Sequence, residues 1–472
     1  MIYFCLGVGL LFSILTRFVQ VRLIKDAFKQ MFSGDKSNEG VSSFQALNLA
    51  LANRVGTGNI AGTATAIAYG GPGAVFWMWL IAFIGAASAF VESTLAQIYK
   101  VRQDGQYRGG PAYFIEKGIG WRWFAVLFAI AAVLAMSLLM PGIQANAIAE
   151  GLNNAFSLNT GVTGAILIVL VGLIIIGGVK RIANVAQFIV PFMAIGYMLM
   201  AFIIIALNVS EIPAVISLIF SSAFGADATF GGILGAAISW GVKRGIYSNE
   251  AGQGTGPHHA AAAEVSHPAK QGLVQAVSVY IDTLLVCSAT AFMILFTGMY
   301  NVYEDDQKTL IQENISSTVK VGPEYTQNAI ETVFPGFGAG FVGIALFFFA
   351  FTTIIAYYYI AETNIAYLAR GKNTKVVMTV LKFVLLGSVL FGTMVEGSDL
   401  VWGLGDVGLG LMVWLNLIAI LILMKPALTA LKDYEAQRKQ GLDPVYNSKE
   451  MGVENAEYWE EGYKIDKKEE AS

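Results

Sequence analysis

Long apolar blocks alternate with short polar stretches along this chain, and the blocks have the length of membrane crossings. A bilayer's hydrocarbon core is about 30 Å thick and a helix rises about 1.5 Å per residue, so about 20 apolar residues span it. The pattern predicts eleven helices, near residues 1–18, 45–68, 73–98, 123–150, 161–178, 184–208, 229–256, 272–299, 337–368, 375–394 and 401–424. From about Lys425 the pattern turns polar, and 425–472 reads as a soluble, partly disordered appendage. The first block has no basic residues before it and no small-x-small site after it. Arg17, Arg22 and Lys25 follow instead, so it reads as a spanning helix rather than a signal peptide.

Charge orients the crossings, because basic residues in short loops favour the cytoplasmic side. The loop 19–44 holds Arg22, Lys25, Lys29 and Lys36, and the loop 99–122 holds Lys100, Arg102, Arg108, Lys117 and Arg122. Lys180 and Arg181, then Lys270, then Arg370 and Lys372 occupy the later inner loops. The alternate loops 151–160, 209–228 and 395–400 have no basic residue, and 300–336 has only Lys308 and Lys320. This places the N-terminus outside and the tail in the cytoplasm of a multi-pass plasma-membrane protein.

Composition agrees. Of 472 residues 56% are hydrophobic and 13% charged, against about 25% charged in a soluble domain. The net charge of −3 offers no basic footprint for nucleic acid. Cys5 and Cys287 lie inside apolar blocks and make neither a disulfide framework nor a metal motif. His258, His259 and His267 read as a polar loop. Glu250 stands alone at membrane depth, with no partner carboxylate and no Ser/His/Asp set, which argues against an enzyme.

The second block carries the candidate chemistry. Asn53, Arg54 and Asn59 sit mid-span beside Gly56 and Gly58, and an unbroken lipid-facing helix of this content is costly. Gly58 and Gly62 form a GxxxG packing pattern, which leaves the polar residues unexplained. Gly56-x-Gly58-x-x-x-Gly62 is misspaced for a dinucleotide fingerprint. A discontinuous helix accounts for all of them. Its freed N–H groups around Gly56-Thr57-Gly58 suit a carboxylate and its freed carbonyls a cation, with the Asn59 side-chain oxygen beside them. A second interruption is expected around Gly245 to Asn249, and paired interruptions are the mark of an inverted-repeat carrier. With the first helix as an extra, the other ten divide into two fives, each opened by an interruption.

Three further segments add detail. Thr352 and Thr353 in the ninth span either bond back to their own helix or offer oxygens to a small hard cation. Gln144 and Asn146 in the fourth bond a polar substrate or a neighbouring helix. The sixth span, 184–207, has no Lys, Arg, Asp or Glu. A proton-coupled carrier needs a titratable group near its site, so this favours sodium.

The runs Asn53-Arg54-Val55-Gly56-Thr57-Gly58-Asn59-Ile60-Ala61-Gly62, Gly70-Gly71-Pro72-Gly73-Ala74-Val75-Phe76-Trp77-Met78-Trp79 and Gly241-Val242-Lys243-Arg244-Gly245-Ile246-Tyr247-Ser248-Asn249-Glu250-Ala251-Gly252 resemble the alanine/glycine:cation symporter family. The resemblance extends from about Phe18 to Leu423. That family belongs to the amino acid–polyamine–organocation superfamily. The resemblance implies an all-α membrane protein with the leucine-transporter-type five-plus-five inverted repeat. It implies sodium as coupling ion, no organic cofactor, and small neutral amino acids as substrate. The repeats would occupy 45–208 and 229–424, after a linker-bearing extra helix at 1–44 and before the tail 425–472. Gly56, Thr57 and Gly58 resemble the carboxylate-binding segment. Gln144 and Tyr247, with Asn59, Ser248 and Asn249 adjacent, resemble the substrate pocket. Carbonyls of Ala52, Val55 and Phe349 and hydroxyls of Thr352 and Thr353 resemble the sodium site. Phe is frequent in the family where this chain has Tyr247. The expected function is sodium-coupled import of alanine or glycine across the lipid bilayer. A proton-coupled carrier on the same scaffold and a non-transporting amino acid sensor are the alternatives.

Overall fold

The apolar blocks fold into helices whose ends fall close to the expected positions. The computed structural model describes residues 1–460 apart from 34–38, 226, 228, 231–232, 305 and 371–373. Lys36, Lys372 and residues 461–472 of the tail lie outside the described residues. In chain order the helices that build the bundle are α1 (Ile2–Leu15), α2 (Ser43–Arg54), α3 (Thr63–Gly70), α4 (Ala74–Ile98), α5 (Arg122–Leu134), α6 (Pro141–Phe156), α7 (Thr160–Ile175) and α8 (Gly178–Leu207), with short helices at Val19–Arg22, Ile24–Met31, Pro111–Phe114 and Pro323–Glu331 in the connections. They continue with α9 (Leu234–Asn249), α10 (Gly256–Ala261), α11 (Pro268–Tyr280), α12 (Ser288–Thr297), α13 (Gly338–Leu368), α14 (Lys375–Met394), α15 (Asp399–Ile422) and α16 (Met424–Lys439). π-helical turns join α5 to α6 (Ala135–Leu139) and α11 to α12 (Ile281–Cys287). Among the described residues, seven helical stretches are long and apolar enough to cross a membrane by length and composition. The shorter α1 and α7 and the broken pairs α2–α3 and α9–α10 complete the expected crossings.

Side-chain size decides what lies inside. α4 and α11 pack against each other, and α9 packs on α4. A Cβ on Gly245 would lie 2.5 Å from Ile81 Cγ2, one on Gly241 would strike the Ala74 carbonyl, and one on Gly272 would strike Thr94 Oγ1. Small residues let membrane helices approach closely where no hydrophobic effect drives them together. On the periphery the order inverts: Phe188 and Phe192 of α8 and Phe383 of α14 are 73%, 71% and 71% exposed, as befits a lipid-facing surface.

Several expectations need correction. The second interruption is not at Gly245 to Asn249, because α9 runs unbroken to Asn249. The chain breaks at Glu250–Thr255, where Glu250, Gly252 and Gly254 have φ of +55°, +81° and +85°. The glycines at 241 and 245 serve packing on α4 instead. Two of the three histidines are not in a loop, and none is exposed. His258 and His259 are buried in α10, and His267 caps α11 by accepting from Ala269 N at 3.1 Å. The loop 209–228 contains a further helix, Ile212–Ala223, and Lys180 and Arg181 lie in the first turn of α8 rather than in a loop.

The tail is ordered up to Glu460. α16 returns along the ends of α4 and α11, Glu435 pairs with Arg17 (2.8 Å) and Arg22 (2.6 Å), and Arg438 pairs with Asp26 (2.6 Å). Tyr434, Tyr446 and Trp459 are fully buried, and Trp459 Nε1 donates to Gln97 O at 2.8 Å. Lys100 Nζ lies 4.4 and 4.2 Å from the ring centres of Tyr107 and Tyr458. A few aromatics, each burying about 150–250 Å², are enough to dock a segment whose average composition is polar.

Candidate functional site

α2 ends because its backbone is diverted. Val55 N still bonds Leu51 O at 2.7 Å, but Val55 turns to ψ 90°, which points its carbonyl out of the helix. Gly56 N then donates to Asn59 Oδ1 (2.8 Å) and Thr57 N to Gln144 Oε1 (3.0 Å). The chain resumes as a π-helical turn, Gly58–Gly62, leading into α3. The first interruption therefore sits where the sequence placed it, with an unexpected part for Asn59. Its oxygen closes the break on itself, and its Nδ2 donates to Asp282 Oδ1 at 2.7 Å.

Gln144 of α6 links the break to the second bundle half. While its oxygen holds Thr57 N, its Nε2 donates to the hydroxyls of Tyr247 and Tyr357, both at 3.4 Å. Gly58 meets α9 so closely that a Cβ would lie 3.1 Å from both Ser248 Cα and Tyr247 Cδ1. Gly56, Thr57, Gly58, Gln144 and Tyr247 are thus brought together. Ser248 and Asn249 face elsewhere: Ser248 Oγ donates to Asp282 Oδ2 (2.9 Å) and Asn249 Nδ2 to Thr283 Oγ1 (3.3 Å). Asn146 donates to the carbonyls of Gly392 and Val395, so it ties α6 to the end of α14.

On the other side of Gly56 an oxygen-rich contact joins α2 to α13. Thr353 Oγ1 donates to Ala52 O (2.9 Å) and Phe349 O (3.0 Å), and Thr352 Oγ1 donates to Phe349 O (2.9 Å). A Cβ on Gly56 would lie 2.5 Å from Thr353 Oγ1 and 3.0 Å from Gln144 Oε1. The amide group and the oxygen group therefore share Gly56 as a wall.

Sequence reasoning missed several residues here. Asp282, Glu92 and Tyr357 are fully buried. Asp282 accepts from Asn59, Ser248 and Thr283, so it bridges the two broken segments. An acid in the middle of an apolar span signals function by itself, and that signal was legible. Tyr357 was legible from spacing, since it lies one helical turn beyond Thr353. Glu250 is not alone, because Arg54, Glu92 and Asp282 interact with it electrostatically. Lys243 and Arg244 meet Asp406 at 2.6 and 3.4 Å, with the Arg244 guanidinium 4.1 Å from the Trp402 ring centre. Trp402 in turn packs against Tyr247 with the rings tilted and their centres 4.8 Å apart. The neighbouring Trp240 packs near Gly70.

Two broken helices facing each other inside a bundle of continuous ones define a membrane carrier of the leucine-transporter type. A solved substrate-bound, outward-open sodium-coupled sialic acid symporter matches this fold with a TM-score of 0.51 at 14% identity, covering 92% of each chain. The model of the sodium:alanine symporter family matches residues 1–448, so the chain belongs to that family. The match takes in the first helix and part of the tail, beyond the expected limits of Phe18 and Leu423. YrbD of Bacillus subtilis (strain 168) is 69% identical over 462 residues, which are 98% of this chain and 95% of that protein. The sodium/proton-dependent alanine carrier protein of Bacillus sp. (strain PS3) is 56% identical over 431 residues, 91% of this chain and 96% of that one.

Proposed function

We propose that the chain is a sodium-coupled symporter that brings alanine or glycine into the cell by alternating access. The observation that carries this reading is the shared wall at Gly56. The carbonyls of Ala52 and Phe349 and the Thr353 hydroxyl converge on one side of it, and the Thr57 amide with Gln144, Tyr247 and Tyr357 on the other. Sodium takes hard oxygen donors, and in this reading it replaces the hydrogen bonds of Thr353 and draws in the Val55 carbonyl and Thr352 hydroxyl. Holding α2 against α13 orders the break, so sodium prepares the backbone amides of Gly56, Thr57 and Gly58 for the substrate carboxylate. The carboxylate takes the Thr57 N–H now held by Gln144, and the released Gln144 oxygen accepts from the substrate ammonium. In this reading Tyr247 and Tyr357, bonded to Gln144, bound the space left for the substrate side chain. The Lys243/Arg244–Asp406 pair closes the path on the outer side, and the docked tail lies on the cytoplasmic side of the plasma membrane.

The absence of a titratable group from the sixth span does not argue against protons as the sequence reading held, since Asp282 and Glu250 reach the broken segments from elsewhere. A proton therefore stands beside sodium as a second coupling ion, in keeping with the name of the strain PS3 relative. Purified protein in liposomes, loaded without sodium and given labelled alanine, tests the main reading. Accumulation is expected with sodium outside and not with potassium. Binding without accumulation would make the protein a sensor, and sodium-independent uptake would remove the ion assignment.

A further inference from the structure

The inner side of the broken segments holds more negative than positive charge. Glu92, Glu250 and Asp282 are at most 1% exposed, and the nearest buried cation is Arg54, 2% exposed. Arg54 does not neutralise any of them by contact. Its guanidinium donates to Gln275 Oε1 at 3.2 Å and to Ser278 Oγ, while Nε and Nη2 have no partner. Among the described residues no carboxylate lies within ion-pair distance of it. If all three acids were ionised, the cluster would carry a charge of −2. One sodium ion in the site proposed above would leave −1. Uncompensated charge at membrane depth is expensive, so a group there shifts to its neutral form.

Hydrogen-bond roles identify the neutral group. An ionised carboxylate needs donors at both oxygens, whereas a protonated one can leave its hydroxyl oxygen without any. Glu92 accepts at both oxygens, from Gly252 N (3.2 Å), Gly254 N (3.2 Å) and Asn416 Nδ2 (2.7 Å). Asp282 also accepts at both, from Asn59 Nδ2 (2.7 Å), Ser248 Oγ (2.9 Å) and Thr283 Oγ1 (2.7 Å). Both are built as anions. In Glu250, Oε2 accepts from Asn53 Nδ2 and from Thr255 Oγ1 (2.7 Å), but Oε1 is buried without any partner. A bare anionic oxygen there would face two other anions.

We propose that Glu250 is the proton-binding site of the transport cycle, protonated at Oε1 while the broken segments are closed and released to water when their inner ends part. The position fits this role. Glu250 is the left-handed residue that ends α9, and its other oxygen clamps Asn53 at the end of α2 to Thr255 at the start of α10. Other groups facing it are Arg54 from α2, Glu92 from α4, Asp282 from the turn after α11, Tyr247 on its own helix and Tyr357 from α13. The tyrosines are neutral hydroxyls at working pH. His258 contacts Thr255 O through Nδ1 and Asn364 Nδ2 through Nε2, the pattern of a neutral ring. His259, near Arg54, has no partner at either nitrogen. Opening the inner side admits water to Oε1. The O–H bond breaks, the proton passes to that water, and the carboxylate it leaves is solvated.

The proposal rests on the symport reading and is tested by two measurements on the full chain in liposomes. Glu250→Gln keeps an accepting oxygen for Asn53 and Thr255 but cannot exchange a proton. With equal sodium on both sides, one pH unit, acid outside, sustains up to about a tenfold accumulation of alanine for one proton per substrate. The wild type should show this accumulation. Glu250→Gln should lose it and keep accumulation driven by a sodium gradient. Retained proton-driven accumulation in the variant, or none in the wild type, overturns the proposal. The infrared spectrum at neutral pH decides the matter even for a variant that does not transport. The carbonyl stretch of a protonated carboxylic acid should be present in the wild type and absent in Glu250→Gln, and its persistence in the variant overturns the proposal. Failure of both gradients to drive wild-type uptake would remove the symport reading, and the infrared band would still report on Glu250.

Discussion

Gly56→Ala tests the shared wall most directly. The φ of Gly56 is not positive, so alanine meets no backbone strain, and the whole effect comes from what its methyl strikes. That methyl would lie 2.5 Å from Thr353 Oγ1, 3.0 Å from Gln144 Oε1 and 3.4 Å from Thr353 Cβ. Ordinary contact requires about 3.5 Å or more, so the Thr353 hydroxyl must retreat by about 1 Å. Thr353 is β-branched on a packed helix, and its rotamer is stiff. The retreat breaks its bonds to Ala52 O and Phe349 O, worth about 0.5–1.5 kcal/mol each, and overpacking adds about 1–3 kcal/mol. If about 2 kcal/mol of this falls on the sodium-bound form, half-saturation moves to about 30-fold more sodium. The assay is labelled-alanine uptake into liposomes over a series of sodium concentrations, alongside Thr353→Ala and the double variant. Thr353→Ala should itself raise the sodium requirement. Adding Gly56→Ala to it should cost less than Gly56→Ala costs alone, since the closest struck oxygen is gone and only the 3.0 Å approach to Gln144 Oε1 and the 3.4 Å approach to the residue 353 Cβ remain. A wild-type sodium curve for Gly56→Ala, or additive losses in the double variant, would refute the shared wall.

Gly58→Leu should push α9 away from the first break, because its Cβ position is already 3.1 Å from the Ser248 backbone. Alanine binding by calorimetry should vanish, and retained affinity would sink this role. Trp459→Ala should release the tail at a cost of about 3–5 kcal/mol, the range for deleting a buried large aromatic. Faster amide exchange over residues 440–460 would show it, and unchanged protection would contradict it. Burial pushes the His267 imidazole below its ordinary value near 6.5, against the opposing pull of Asp433 at 3.2 Å. A base depressed in the docked state contributes fully above its undocked value and loses that contribution as pH falls toward the docked one. Protonation at Nδ1 also destroys the cap on Ala269 N. Acidification below about 6.5 should therefore loosen the docked tail in proteolysis, and His267→Asn should remove that pH dependence.

Hydrophobic periodicity by itself determined the crossings, since length and apolarity are local properties that the bilayer reads directly. The break at Val55 to Thr57 was equally local, because two glycines among Asn53, Arg54 and Asn59 leave an unbroken span without partners for its polar groups. The second break was misplaced because glycine has two uses. Only the packing of α9 on Ile81 and Ala74 shows that 241 and 245 serve close approach, while 252 and 254 supply the positive φ. Composition made the tail a loose appendage, although docking depends on where Tyr434, Tyr446 and Trp459 land rather than on how many polar residues surround them. The site divides in the same way. Gly56, Thr57, Gln144 and Thr353 were visible as polar or small residues in apolar spans. Beside local bonds from Thr283 and Thr255, the hydrogen bonds that give Asp282 the form of an anion and hold one oxygen of Glu250 come from Asn59, Ser248 and Asn53, 34 to 223 positions away. Those pairings arise only when the two halves fold against each other, so tertiary structure alone decided which carboxylate can carry a proton.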